Sequence, residues 1–311
     1  MDFTVFGGGS WGTALAIHLR RNNHTVKIWE FNREQAEQMQ KSRFCPLLPE
    51  KVLIPKDIFV TSSLEKAVEN TDVILVAVPS DKVETTITNA KKFISNQEVL
   101  LCSKGFASRQ RLQSDVLQQN LPHNAIYCLY GPTLAIELAN GLLTGIVLAG
   151  KSDKSALKKA LKSDILRVET TDDMIGVQVG AALKNVIAIL IGIAEGVGLG
   201  QNATAYVFTK GLNEIKTIGV AMGADPETFM GLTAIGDLTL RSRNRMLGVE
   251  IGKGRSLEET LKHTNHVLEG IASVQDALML KNKLNLNLPM ISELYKILFK
   301  SKAPKEALSN I

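Results

Sequence analysis

Six groups of residues along this chain have types and spacings that suit chemistry. Gly7, Gly9 and Gly12 in "FGGGSWG" form a G-x-G-x-x-G array behind the apolar run "FTVF". In such an array the first glycine permits a tight turn, the second lets a pyrophosphate approach the backbone, and the third lets helix and strand pack closely. A helix opening there also offers free N–H groups and the positive end of its dipole to phosphates. Glu30 closes the run "VKIWE", about 20 residues on, where a carboxylate can accept from both ribose hydroxyls. It favours NAD, because a 2′-phosphate would meet a like charge, whereas Arg33 just beyond it would hold such a phosphate; the reading leans to NAD and leaves NADP open. Lys104, in "LLCSKGF", ends a predicted strand and can meet a phosphate or a polarised carbonyl. After the next strand, Gly131 and Pro132 turn the chain, and Thr133 and Ala135 begin a predicted helix whose N–H groups face the same carboxyl edge.

The remaining two groups lie further on. In "VGAALKNVIAILIGIAEG", Lys184 shares a helix face with Gly180, Ala181, Ala188 and Ile191. Small residues there would admit the edge of a nicotinamide or the sheet domain. A lysine buried on that face has a lowered pKa and suits general acid–base work. The other reading is a lysine snorkelling out of a half-buried helix, with Asn185 capping or bridging. In "TAIGDLTLRSRNRMLG", Asp237 follows a glycine in a predicted loop, placed to pair with Lys184. Ser242, Arg243 and Asn244 then open a helix, and a serine cap, a helix N-terminus and a guanidinium fork together make a phosphate clamp.

The elements that must position these groups are legible in outline. "FTVFG", "TVKIWE", "DVILVAVP", "EVLLCSKG", "AIYCLYGP", "GIVLAG" and "ILRVET" read as strands. Most are apolar throughout, as in strands covered on both faces of a parallel sheet. Helix-like segments such as "TALAIHLRRN", "REQAEQMQKS" and "LQSDVLQQN" alternate with them, which implies βαβ units and an α/β, doubly wound, mostly parallel sheet. After "TTDDM" no convincing strand appears, and "NATAYVFTKGLNEIKTIGVAMG", "DPETFMGL", "SRNRMLGVEIGKG", "LEGIASVQDALML" and "PMISELYKILF" all read as helices. The expected organisation is a dinucleotide-binding sheet domain over residues 1–175 and an all-α substrate-binding and catalytic domain over 176–311.

Composition narrows the function classes. The 311 residues carry 36 Lys and Arg against 31 Asp and Glu, a net charge of +5. That suits anionic small molecules and is too weak to argue for nucleic acid. Scarce tryptophan and tyrosine also speak against a base-stacking surface. Cys45, Cys102 and Cys128 are odd in number and too far apart for a metal motif; buried thiols in a reducing cytoplasm and no metal site are expected. "DFTVFGGG" lacks the charged lead and cleavage site of a signal peptide. Lys184 and Asn185 interrupt the most apolar stretch, so no membrane span is expected. A homodimer is kept as the candidate assembly.

"GGGSWGTALA", "SKGF", "GPTLAIELANG", "GAALKNVIAI", "GLGQNATA", "ADPETFMGLTAIGDL" and "SRNRMLG" follow one another in a single order over nearly the whole chain. In this the chain resembles the NAD(P)-dependent glycerol-3-phosphate dehydrogenases of bacterial type. The resemblance implies a Rossmann domain and a helical domain. It also implies interconversion of dihydroxyacetone phosphate and sn-glycerol 3-phosphate, a phosphorylated triose chemistry that feeds phospholipid synthesis. Matched residue by residue, Ser10 and Trp11 correspond to a cofactor-contacting pair, and Lys104 to a lysine touching both cofactor and substrate. Gly131 and Thr133 match substrate positions, Ala135 a cofactor position, and Lys184 the proton-transferring lysine. Asp237, Ser242, Arg243 and Asn244 match the substrate-binding group, with Arg243 also reaching the cofactor, and Val267 and Glu269 a late pair that contacts the cofactor.

The chain departs from the pattern at four places. Leu238 to Arg241 are all that separate Asp237 from Ser242, where the family carries a longer "TCTS"-like segment; Thr239 is the residue left to supply that loop's contacts. Ile136 stands where many bacterial relatives have lysine, and Gln178 where glutamate is usual. Phe31 occupies the position after the second strand that is often basic and would favour NADP. Two rival readings remain: a β-hydroxyacid-type dehydrogenase, which shares the glycine array and a helical Lys-Asn pair, and a degenerate cofactor-binding paralogue, suggested by the short loop.

Overall fold

The computed structural model describes residues 1–262 and 268–311. They separate into two compact units: Met1–Ser103 with Arg111–Met174, and Lys104–Gln110 with Ile175–Ile311. The first unit runs β1 (Asp2–Phe6), α1 (Ser10–Arg21), β2 (Thr25–Trp29), α2 (Arg33–Ser42), β3 (Phe59–Thr61), α3 (Leu64–Val68), β4 (Val73–Val76), α4 (Val83–Ala90), β5 (Glu98–Leu101), α5 (Gln113–Asn120), β6 (Ile126–Tyr130), α6 (Ala135–Ala139), β7 (Thr144–Gly150), α7 (Ser155–Leu161) and β8 (Leu166–Thr171). These strands form one sheet in the order β3-β2-β1-β4-β5-β6-β7-β8. Every neighbouring pair is parallel except β6 with β7. The order reverses between β1 and β4, the switch point outside whose carboxyl ends ligands bind in open α/β sheets. Strand β4 is buried along its whole length, as is β6, which is why both read as unbroken apolar runs.

Two details of this unit differ from the sequence reading. Strand β3 was not expected: "FVT" is too short to show a period, and it exists because Lys27, Ile28 and Trp29 of β2 pair with it. The helix expected from Thr133 starts at Ala135 instead, with Thr133 held in the preceding turn by its hydroxyl, which donates to the Gly131 carbonyl at 3.3 Å.

The second unit runs α8 (Met174–Val197), α9 (Gly200–Ala221), α10 (Arg243–Gly252), α11 (Leu257–Lys262), α12 (Glu269–Lys283), α13 (Pro289–Lys300) and α14 (Pro304–Ser309), with no strand among its described residues. By length and composition α8 could cross a bilayer, yet 89% of its most apolar window is buried inside the structure, as expected of a helix apolar on all sides. Two glycine pairs weld α10 to it. A Cβ added at Gly192 or Gly196 would collide with the Arg245 or Val249 carbonyl, and one at Gly248 or Gly252 with the Ile189 or Ile193 carbonyl. The two backbones can approach this closely only without side chains between them. Arg245 adds a two-pronged bond to Glu195, and α10 is fixed in register against α8. Further along, the buried Glu214 carboxylate of α9 accepts the Met290 and Ile291 amides at 2.7 and 3.0 Å, satisfying the open start of α13.

"DPETFMGL" is not the helix expected. It forms a short 3₁₀ segment, Pro226–Met230, and after Gly231 a single π-turn, Leu232–Gly236, closed by the Gly236 amide on the Gly231 carbonyl at 3.2 Å. Asp237 therefore continues a helical turn and does not sit in a loop. Such π-turns recur at functional sites because they re-aim the residues that follow them.

Candidate active site

In the sheet unit the three glycines are required for three different reasons. Gly7 has φ +116°, and a Cβ on it would stand 2.7 Å from the Ala77 carbonyl oxygen. A Cβ on Gly12 would strike the Gly7 carbonyl. At Gly9 it would meet nothing within 4 Å: the protein leaves that side open, as a pyrophosphate lying against the backbone requires. Gly9 is also the N-cap of α1, which has no side-chain cap and no acidic residue in its first turn. Its first amides, with the half-buried Ser10 and Trp11 among them, are thus open to an anion. By these observations the turn fits a dinucleotide.

Glu30 is braced onto this turn. Its Oε2 accepts the Gly8 amide and its Oε1 the Asn32 amide, both at 3.0 Å. Each oxygen keeps a lone pair for a further donor. Phe31 is 82% exposed and packs edge-on to Trp29. Arg33 is held by Glu37 at 2.8 Å. On the far side of the sheet order, a Cβ on Gly131 would stand 2.7 Å from the Gly145 carbonyl oxygen, so Gly131 is set by the close approach of β7. Ile136, where relatives carry lysine, packs against the apolar core of the sheet unit.

The helical unit holds a tight ionic cluster. Lys184 is 5% exposed and Asp237 1%. Lys184 Nζ donates to Asp237 Oδ1 at 2.9 Å, and Lys104 Nζ donates to the other oxygen, Oδ2, at 2.6 Å. One carboxylate thus holds two ammonium groups apart. Burial lowers the Lys184 pKa, and the Lys104 charge lowers it further; the charges of Asp237 and Glu269 oppose this without cancelling it. For Asp237, burial pushes the pKa up, but the two lysines outweigh it and hold the carboxyl below its ordinary range. Two ammonium groups thus share one hydrogen-bonded carboxylate, with the Glu269 charge also acting on Lys184.

The approach expected at Gly180 has a different source. The groups nearest a Cβ added there are Ala234 and the Thr233 carbonyl, at 3.2 and 3.3 Å. The small residue before Lys184 therefore admits the π-turn that delivers Asp237.

Ser242 caps α10, its Oγ accepting the Arg245 amide at 3.4 Å. Arg243 is exposed at the first turn. Asn244 is 7% exposed, and its Oδ1 has no hydrogen-bond partner among the described residues. A buried acceptor left empty is costly and marks a place where a ligand hydroxyl could donate. It lies beside Gly270, whose added Cβ would come within 2.5 Å of it. Glu269, the first residue of α12, acts on Lys184 through its charge, and Val267 lies outside the described residues. The shortened segment between Asp237 and Ser242 is a compact turn: Leu238 is buried, the Thr239 hydroxyl donates to the Gly236 carbonyl at 2.7 Å, and the Ser242 amide to the Leu240 carbonyl at 2.9 Å. Thr239 is thus engaged within the turn. Gln178 is buried in α8. Sequence reasoning missed the Lys104–Asp237 bond, since the two residues are 133 positions apart and no local pattern links them.

Family models describing the N- and C-terminal parts of NAD-dependent glycerol-3-phosphate dehydrogenase match residues 2–156 and 173–309. The chain belongs to the NAD-dependent glycerol-3-phosphate dehydrogenase family. Among its relatives, glycerol-3-phosphate dehydrogenase [NAD(P)+] of Fusobacterium nucleatum is 36% identical over 100% of this chain and 96% of its own length. That of Thermoanaerobacter sp. strain X514 is 37% identical over the same shares. The crystal structure of glycerol-3-phosphate dehydrogenase from Coxiella burnetii superposes with a TM-score of 0.95 at 31% identity, covering 99% of this chain and 97% of the other. Membership of the family removes the β-hydroxyacid reading, and the sheet-plus-helices architecture is the one these relatives share.

Proposed function

We propose that this protein interconverts dihydroxyacetone phosphate and sn-glycerol 3-phosphate with NAD(P)H, and that Lys184 moves the proton. The observation that carries the assignment is a lysine buried to 5% exposure and held at 2.9 Å by an equally buried aspartate. When bound, the nicotinamide supplies the hydride that reduces the ketone carbon. Lys184 donates its proton to the oxygen of that carbon, and in the oxidative direction takes it back. Asp237 fixes the ammonium in place, and Lys104 adds positive charge where the oxyanion develops. Arg243 and the capped start of α10 hold the phosphate, so binding energy remote from the reacting carbon orients it. The empty Oδ1 of Asn244 accepts a substrate hydroxyl. The product would serve phospholipid synthesis; cytoplasmic residence and a homodimeric state belong to the same proposal.

The proposal leans to NAD. Glu30 is held on the phosphate turn by the Gly8 and Asn32 amides, where its charge would oppose a 2′-phosphate, and Arg33 is tied to Glu37. Reduction of dihydroxyacetone phosphate, followed with NADH and NADPH side by side, tests both parts. Turnover with NADH preferred is expected; an inert protein that still binds NADH would support the degenerate paralogue. Glu30→Gln removes the like charge and should narrow the NADH-to-NADPH ratio of kcat/KM by about tenfold, since specificity of this kind rests on repulsion of the wrong ligand. An unchanged ratio would assign the preference to other residues.

A further inference from the structure

The segment Lys104–Gln110 is unusual in its allegiance. It groups with the helical unit, although Ser103 before it and Arg111 after it group with the sheet unit. Both of its ends are pinned to helical-unit side chains. At the start, Lys104 Nζ meets Asp237 Oδ2 at 2.6 Å. At the end, Gln110 Nε2 donates to Asp276 Oδ1 at 3.1 Å and lies 3.0 Å from Met279 Sδ, both on α12. Between these pins Phe106 and Ala107 are buried. The backbone is also forced: Gly105 has φ +125°, and the consecutive non-glycine residues Arg109 and Gln110 have φ +60° and +55°. Left-handed conformations of this kind are strained for residues other than glycine and persist only where the surroundings hold them. Asp276, with Met279, holds the second of these residues, Gln110. Burial raises the Asp276 pKa, and the Gln110 hydrogen bond opposes that rise. A half-buried carboxylate whose partner among the described residues is an uncharged amide adds little to stability alone, and it makes sense as a register device.

We infer that Gln110 and Asp276 form a positioning pair that holds the Lys104–Gln110 strap on the helical unit and so keeps the Lys104 ammonium on Asp237. The inference rests on the proposed function, because its consequence is read in that reaction. The pair touches neither substrate nor cofactor; it acts through Lys104. When the strap loosens, Lys104 leaves Asp237, and Lys184 loses its like-charged neighbour while keeping Asp237 and Glu269.

Polarity exchange tests it. Gln110→Glu sets a carboxylate against the Asp276 carboxylate and should lower kcat/KM for dihydroxyacetone phosphate by about tenfold or more, as misplacement of a catalytic group does. Gln110→Glu combined with Asp276→Asn restores one donor and one acceptor with their roles exchanged, and should return the rate to within about threefold of the wild type, the sign of direct coupling between neighbours. The pH–rate profile of the reduction separates positioning from damage to the fold. In Gln110→Glu the alkaline limb should move to higher pH, because the charge that lowers the Lys184 pKa has gone, and the double variant should move it back. A merely structural loss lowers the whole profile without moving the limb. With an active wild type, an unimpaired Gln110→Glu, a stationary limb, or a double variant no better than the single overturns the positioning pair and leaves the function standing. An inert wild type overturns both.

Discussion

Lys184→Ala lowers reduction of dihydroxyacetone phosphate by about 10²–10⁴-fold, the range a positioned proton donor contributes, and leaves NADH binding nearly intact. The cofactor turn is built by Gly7, Gly9, Gly12 and Glu30 of the sheet unit, whereas Lys184 belongs to the helical unit. The fold should survive as well. Asp237 keeps Lys104 at 2.6 Å after the substitution, so no carboxylate is left buried and unpaired, which is the situation that makes deletion of one partner so damaging. Lys184→Arg refines the result. It keeps a positive charge in the cluster but offers a guanidinium that does not release its proton near neutrality. Substrate binding with negligible turnover is expected of it. Single-turnover kinetics and NADH titration of both variants provide the check; substantial activity in either would remove Lys184 from the proton-transfer role.

What could be read in the sequence was whatever the chain encodes locally. The reasons for Gly7, Gly9 and Gly12 follow from their spacing behind a strand, and the parallel sheet from apolar runs such as "VILV" and "IYCLY", buried along their whole length. Serine at the start of α10 is a local signal too, and its cap is present. What could not be read depends on partners distant in the chain. Strand β3 owes its existence to β2 and not to its own three residues. Gly180 looked like room for a ligand because it lies on the Lys184 face; it is room for the π-turn. That turn was hidden because "DPETFMGL", with Gly231 inside it, read as a helix and Gly236 as part of a loop, whereas five-residue closure between the two glycines depends on packing. The glycines of α8 and α10 carry no local signal of their role; it exists only where the two helices meet. Asp237 was legible as a partner for Lys184, but its second lysine arrives on a strap whose membership of the helical unit no local pattern announces.

Asp237→Asn should produce a change opposite in sign to that of the strap variant. The carboxamide carries no charge to balance two ammonium groups, and removing one member of a buried ion pair costs on the order of 3–5 kcal/mol. Lys184, the more buried of the two lysines, sheds that cost by releasing its proton. Burial and the Lys104 charge already lower its pKa, and the largest opposing influence is Asp237 itself; with Asp237 neutralised the pKa falls further. Ketone reduction needs Lys184 protonated, so its rate is full below the Lys184 pKa and is lost as pH rises through it. The alkaline limb must therefore move to lower pH in Asp237→Asn, the rate near neutrality must drop, and part of it must return on acidification. In the oxidative direction, where Lys184 must be neutral to accept the proton, the same variant should become active at a lower pH than the wild type. Rate profiles measured in both directions decide the matter. If the two limbs stay where they are while the protein merely becomes less stable, Asp237 is a structural counter-ion and the acid–base behaviour of Lys184 is set by burial alone.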